Sequence, residues 1–221
     1  MTAPHNLNSA SAFEHALPRA QALLASALSE QKRKILGIAA APGAGKSTLA
    51  AALQGALGER VLVVPMDGYH LANSELQRLG RTQRKGAEDT FDANGYANLI
   101  ERIRNPYPNE IVYAPDFRRA LEEGIAGAIP VHADIALVIT EGNYLLRQTP
   151  AWQRARAAMD AVWYLDVDDD VRRQRLLARH MRFGRSEADA LAWMAQSDEP
   201  NAVQIAQTRA FADWVLREQG E

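Results

Sequence analysis

Residues 40–48 read Ala40-Ala41-Pro42-Gly43-Ala44-Gly45-Lys46-Ser47-Thr48. One residue separates the stretch from the pattern Gly-x-x-x-x-Gly-Lys-Ser/Thr, because alanine stands where that pattern opens on glycine. Its flanks decide the reading. Before it, Lys34–Ala39 (KILGIA) is a short apolar run of buried-strand type. After it, Ser47–Leu57 (STLAAALQGAL) is rich in alanine and leucine and reads as a helix. Strand, loop and helix in this order can cradle phosphate, since backbone N–H groups from Gly43 to Lys46 wrap an anion and the helix adds its positive end. Without that context, a glycine-bearing turn before a helix would be an equal reading. Alanine at position 40 removes no ligand. It costs little at negative φ, and about 1–2 kcal/mol if φ must be positive.

Further out, Arg60–Met66, Ile111–Ala114, Ala136–Thr140, Ala161–Val167 and Asp213–Leu216 are more apolar runs. Helical stretches lie between them. Residues 12–30 have helical spacing, with Pro18 expected to interrupt or kink them. Asp92 is placed to cap a helix through Arg104. Asp168-Asp169-Asp170 opens a long basic helix with its acids at the favourable end, and two further helical stretches after Gly184 reach about Ala210. Apolar strands alternating with helices indicate an α/β protein, a three-layer sandwich with a parallel sheet covered on both faces.

Bulk properties narrow the function. The chain has 221 residues, enough for one domain with a sizeable core. We divide it into an N-terminal extension and helix, residues 1–33, and a main domain, residues 34–221. A formal net charge of −2 gives a nucleic-acid partner no support. There is no cysteine, so disulfides, thiolate metal sites and cysteine nucleophiles are excluded. Apolar runs such as Val61–Val64 are too short to span a bilayer. The start, MTAPHNLNSAS, lacks a signal-peptide pattern, and the expectation is a cytoplasmic protein with no membrane partner.

The phosphate loop assigns roles by position. Pro42, Gly43, Ala44, Gly45, Lys46, Ser47 and Thr48 form the nucleotide cradle. Lys46 reaches the β and γ phosphates, the Ser47 hydroxyl binds Mg²⁺, and Thr48 adds a phosphate contact. Asp67 follows the buried strand VLVVPM. Ligands of open α/β sheets lie beyond the carboxyl ends of strands, so Asp67 faces the same crevice as Lys46 and is placed to accept a proton from an attacking hydroxyl. An aspartate that merely begins a turn beside Gly68 is the plainer alternative. Glu141 ends the run ALVIT and is expected as the Mg²⁺-linked acid, against a water-exposed strand-ending acid. Arg175, Arg179 and Arg182 lie at i, i+4, i+7 in the arginine helix, on one stripe. At least one arginine of that region is expected to close over the transferring phosphoryl group, with Gly184 as hinge, although a solvated basic face is the common reading of such a run.

Taken together, AAPGAGKST, MDGYHL, RKGAEDTFD, VITEGN and ARHMRFGRS resemble the phosphate-loop small-molecule kinases that include uridine kinase, phosphoribulokinase and bacterial type I pantothenate kinase. The resemblance spans about Ile35 to Leu216. It implies a P-loop NTPase fold with a five-stranded parallel sheet, a helical lid around residues 179–200, and ATP with Mg²⁺. It places the catalytic base on Asp67, the metal-linked acid on Glu141 (with Asp67 as a further metal contact) and lid roles on Arg179 and Arg185. The lid is one residue shorter than the uridine kinase pattern, and His180 replaces an aspartate. The segment LGRTQRKGAEDTFD is more similar to pantothenate kinase, whereas VYAPDFRRALEE keeps only the Asp-Phe pair of the uridine kinase acceptor segment. Tyr69, His70, Lys85 and Asp116 are candidate acceptor contacts. For His70 a structural role is an equal reading, and Lys85 with Arg84 can be a solvated pair. Trp152, Trp163, Trp193 and Trp214 are assigned to core or lid packing.

The expectation is therefore an ATP-dependent kinase acting on a small-molecule alcohol, a nucleoside or a sugar, with pantothenate as the alternative acceptor. A homodimer is left open. A nucleotide switch would want a guanine-reading Asn-Lys-x-Asp segment, and none is present. A nucleotide-binding protein without kinase activity is the remaining alternative.

Overall fold

The computed structural model describes residues 9–218. Seven strands and eight α-helices follow one another along the chain: α1 (Ser9–Glu30), β1 (Lys34–Ala39), α2 (Lys46–Leu57), β2 (Val61–Pro65), α3 (Asn73–Arg78), α4 (Ala93–Arg104), β3 (Val112–Arg118), β4 (Glu123–Val131), β5 (Leu137–Gly142), α5 (Pro150–Ala157), β6 (Ala161–Val167), α6 (Asp169–Arg182), α7 (Glu187–Trp193), α8 (Glu199–Ala206) and β7 (Trp214–Glu218). Five strands form one parallel sheet in the order β2-β5-β1-β6-β7. Side chains on the two faces fill two cores. Leu36, Ile38, Leu137 and Leu165 pack with Leu49 and Leu53 of α2 and with Ala12, Ala16 and Ala20 of α1. Ile35, Val64, Val138 and Val162 pack with Tyr96 and Ile100 of α4, Trp152 of α5 and Ile205 of α8. Helices on both faces bury β1 and β5, so those strands read as unbroken apolar runs, not alternating ones.

The caps fall where the sequence puts them. The Asp92 carboxylate accepts the Gly95 N–H at 2.8 Å and starts α4. The Asp168 carboxylate accepts from Asp170 at 2.9 Å and starts α6. Three expectations need correction. Pro18 lies inside α1, which continues past it to Glu30. Helix α1 is also no separate extension, because three of its alanines are buried in the sheet's core and Arg19 stacks over Trp214 of β7 at 4.4 Å. The run at Ile111–Ala114 does form a strand, β3, but outside the parallel sheet. It pairs antiparallel with β4 as a hairpin. The second hairpin strand has no counterpart in the sequence reading.

Register sets the site. Ala39 lies opposite Gly142 and Pro65 opposite Glu141, so β1, β5 and β2 end level. The loop after β1, Asp67 after β2 and Glu141 at the end of β5 therefore open on one crevice, at the carboxyl edge of the sheet.

Candidate active site

Helix α2 starts directly from the loop. Its N-cap is Gly45 at φ 91°, with no side chain bonded across the helix start, so its first-turn N–H groups are free for a ligand. Gly43 also has positive φ, and a Cβ there would stand 2.5 Å from the Arg172 carbonyl of α6. The loop thus needs glycine at 43 and 45 for conformation, and at 43 for close approach as well. Position 40 needs neither. Among the described residues, the non-glycine positions with positive φ are Gln31, Asn109 and Glu122. Ala40 therefore has ordinary backbone, and its methyl is fully buried in the core beneath α2. We predict that Ala40→Gly keeps ATP KM and kcat within about threefold of the parent and lowers stability by about 1 kcal/mol, through the lost methyl and the freer backbone of the unfolded chain. Steady-state kinetics and urea unfolding check this. A hundredfold gain in activity would show that alanine cripples the loop.

Lys46 is buried. Its Nζ donates to the carbonyls of Ala40 (3.1 Å) and Ala41 (3.3 Å) and to Asn143 Oδ1 (2.7 Å). Burial holds its pKa below the usual lysine range, against the opposing pull of Glu141 and Asp67. Ser47 Oγ donates to Glu141 Oε1 at 2.8 Å. Glu141 is not a water-exposed strand end: only 5% of its surface remains accessible. Burial raises its pKa, the nearby Asp67 raises it further, and Lys46 and the Ser47 hydroxyl oppose both. A buried cation facing two carboxylates, with a serine hydroxyl between, is an oxygen-donor set open to phosphate and a hard divalent ion. Among the described residues there is no cluster of three or more His, Asp or Glu that could enclose a metal ion. Mg²⁺ asks for no such cluster, since it usually keeps waters and phosphate oxygens alongside one or two carboxylates.

Two cavities meet at this point. The first, of about 830 Å³, is lined by Gly43, Ala44, Gly45 and Thr48 of the loop and by Phe13 of α1. The second, of about 470 Å³, holds Pro42, Asp67, Glu141 and Asn143, together with His70, Asn73, Lys85 and Phe117. Lys46, Ser47, Arg119, Arg179 and Phe183 line both, and so mark the boundary where the two cavities adjoin. The carboxylates of Asp67 and Glu141 lie on the second side only.

The arginine helix divides its tasks. Arg172 is buried and bonds the Pro42 carbonyl (3.3 Å), Asp169 (3.0 Å) and both carboxylate oxygens of Glu199 (2.8 and 2.9 Å), tying the loop to α6 and α8. Arg175 is bonded by Glu218 at 2.7 and 3.0 Å, so the expected stripe loses a member to an ion pair. Arg179 lines both cavities, and burial lowers its pKa, with the nearby Arg119 adding to the effect. Arg182 lines the loop-side cavity. Arg185, just past Gly184 at φ 95°, stacks over Trp193 at 4.1 Å on the wall of the second cavity. His180 Nε2 donates to Asp198 Oδ2 at 2.9 Å on the same wall.

The four candidate acceptor contacts separate. His70 and Lys85 line the second cavity, while Tyr69 and Asp116 do not. Tyr69 turns its ring edge toward Tyr96 at 5.7 Å, and burial pushes its hydroxyl up to about 12. Asp116 pairs with Arg118 at 3.0 Å. His70 lies between Phe91 (4.0 Å) and Phe117 (4.7 Å), with its Nδ1–H donated to the Asp67 carbonyl at 2.7 Å. Lys85 donates to Asn73 Oδ1 at 2.7 Å and to the Glu122 carbonyl. Sequence reasoning missed Arg119 and Asn143. Asn143 stands two residues after Glu141 in a segment already singled out, and Arg119 follows the Asp-Phe pair of β3, where the signal was a second consecutive arginine.

The family model for the "Phosphoribulokinase / Uridine kinase family" matches residues 35–216. A Schizosaccharomyces pombe protein provisionally named a uridine kinase is 34% identical over 202 residues, covering 86% of each chain. A pantothenate kinase of Clavibacter michiganensis subsp. michiganensis is 28% identical over 218 residues, covering 85% of this chain and 67% of the relative. Among solved structures, a Silicibacter protein provisionally titled a fructose transport system kinase superposes with a TM-score of 0.75 at 36% identity, covering 87% of this chain and 98% of its own.

Proposed function

Because the chain belongs to the phosphoribulokinase/uridine kinase family, whose members are ATP-dependent kinases, we propose that it transfers the γ-phosphate of ATP to a hydroxyl of a small polyhydroxylated metabolite, a sugar or a nucleoside. One observation carries this reading. The loop-side cavity and the carboxylate-bearing cavity adjoin along Lys46, Ser47, Arg119, Arg179 and Phe183, which line both, and Asp67 lies on the carboxylate side alone.

The triphosphate lies along the Gly43–Thr48 amides, with Lys46 and Arg179 taking charge on the outer phosphates. Mg²⁺, when bound through Ser47 and Glu141, supplies electrostatic neutralisation of the phosphate oxygens. Asp67 accepts the proton of the acceptor hydroxyl as that oxygen bonds to the γ-phosphorus, and the bond to the bridging oxygen breaks with its electron pair leaving on ADP. Arg185, carried past Gly184, belongs to the segment that closes over the acceptor and excludes water. His70 and Lys85 contact the acceptor.

Sugar-like acceptors fit the second cavity better than a flat base needing an open aromatic face. The ring of His70 packs between Phe91 and Phe117, tilted 43° to each, and Asn73, Thr82, Gln83, Lys85, Glu122 and Asn143 supply polar lining. The Silicibacter protein, provisionally named a fructose transport system kinase, is consistent with this preference. The experiment is ADP release from Mg·ATP against sugars, nucleosides and pantothenate. We expect a sugar or nucleoside to raise turnover far above the rate with water alone. Selective use of pantothenate would move the acceptor to the class named for the Clavibacter relative. Tight ATP binding with no transfer to any alcohol would leave a binding protein.

A further inference from the structure

Three cationic side chains line both cavities. Lys46 comes from the phosphate loop and Arg179 from α6. Arg119 comes from neither. It sits in the turn joining β3 to β4, far from both in sequence. One of its guanidinium nitrogens, Nη2, lies 3.8 Å from Asp67 Oδ2, and the group stands over the rings of Phe183 (5.7 Å) and Phe117 (5.9 Å).

This placement is built into the backbone. A Cβ on Gly68 would come within 2.6 Å of the Pro115 carbonyl, and one on Gly124 within 2.4 Å of the Gly68 carbonyl. The hairpin therefore rests directly on the turn that carries Asp67. Its contact with Asp67 is too long for a hydrogen bond and involves two partly exposed groups, so the pair is weak and readily exchanged. Arg119 thus holds a planar fork of donors beside the base, at the boundary between nucleotide and acceptor, with no strong partner of its own among the described residues.

We propose that Arg119 is a catalytic residue for phosphoryl transfer, resting beside Asp67 in the free protein and turning its guanidinium onto the transferring phosphoryl group once nucleotide and acceptor are bound. This rests on the kinase reading above. A phosphoryl group spread over three equatorial oxygens in the transition state is a stronger, bidentate acceptor for guanidinium than one carboxylate oxygen at 3.8 Å. The exchange also frees Asp67 to receive the hydroxyl proton. The bonds made and broken are those of the transfer itself. Arg119 adds no proton and forms no covalent bond.

The test measures binding of Mg·ADP with and without aluminium fluoride, a mimic of the transferring phosphoryl group, in the presence of the best acceptor, by calorimetry on the parent, Arg119→Met and Arg119→Lys. The parent should gain affinity on the order of 100-fold from the fluoride. Arg119→Met should lose most of that gain while binding Mg·ADP alone within about threefold, and its kcat with the best acceptor should fall on the order of 10²–10³-fold. Arg119→Lys should recover part of both. The proposal is overturned if Arg119→Met keeps the fluoride gain and kcat, if it weakens Mg·ADP alone equally, or if the parent shows no gain. Thermal unfolding reports whether each variant is folded, and Arg119→Lys and Arg119→Gln decide the matter should the methionine variant not fold. Asp67→Asn tests the base without removing the guanidinium and should retain the fluoride gain, so the two readings fail separately.

Discussion

Lys46→Ala is expected to lower kcat on the order of 10³-fold or more, to near the uncatalysed background. Among the described residues it is the one lysine that lines both cavities, and it opens α2, where the outer phosphates would lie. ATP affinity should also fall, because the charge acts on the bound triphosphate as well as on the transition state. From sequence alone this lysine reads as an exposed loop residue. In the fold it is buried and bonds two loop carbonyls and Asn143. Its removal takes a donor from each of those acceptors, although the Ala41 carbonyl keeps the Ala44 N–H at 3.3 Å, and it also removes a cation that burial disfavours, as its lowered pKa records. The two effects oppose, so the variant should remain folded with a modest change in stability. Circular dichroism and thermal unfolding, set beside the kinetics, check both halves. Most of the activity surviving in a folded Lys46→Ala protein would remove the phosphate-loop reading.

What the sequence showed and what it hid divide along a physical line. Features fixed by neighbours in the chain were legible. The loop between β1 and α2 is set by glycines two apart and a flanking strand and helix, and the caps Asp92 and Asp168 act within three residues. Asp67 and Glu141 were legible because both end apolar runs, and parallel strands that end level place such residues in one crevice. Features fixed by distant partners were not. Arg172 looked like its neighbours in a basic run, yet contact with Pro42 and Glu199 makes it the buried anchor of the phosphate loop. Arg175 lost its place in the expected stripe to Glu218, 43 residues away. Strand β4 went unread because its apolar stretch IAGAIPV is broken by Gly127 and Pro130, residue types that weaken a strand reading, and its side chains alternate poorly between buried and exposed on a small hairpin. Arg119, carried by that hairpin, was hidden with it. Pro18 misled for another reason: α1 is held by the alanines it buries against the sheet, and packing outweighs one missing backbone bond.

Asp67→Asn is expected to lower kcat on the order of 10²–10⁴-fold with little change in ATP affinity. The amide keeps the size of the carboxylate and its place after β2 but cannot take a proton from the acceptor hydroxyl. The triphosphate contacts assigned to Lys46, Ser47 and the loop amides stay in place, so a binding isotherm for ATP should hardly move. Two neighbours complicate the substitution and must be separated from it. Asp67 raises the pKa of the buried Glu141, so replacing its charge lets Glu141 ionise more readily and should, if anything, strengthen the metal side of the site. Arg119 loses its weak partner and is freer to reach the phosphoryl group. Neither change lowers kcat, so a loss of this size points to the missing proton acceptor. Glu141→Gln offers the contrast. It removes the carboxylate that Ser47 Oγ contacts at 2.8 Å, and high Mg²⁺ should partly relieve its defect if metal binding is its task. Raising Mg²⁺ should do nothing for Asp67→Asn. An unchanged kcat in that variant would leave Asp67 as a turn residue. Restoration by Mg²⁺ would place it among the metal ligands and require another base in the second cavity, where His70, hydrogen-bonded to the Asp67 carbonyl and held below the ordinary histidine pKa by burial, would be the next group to test.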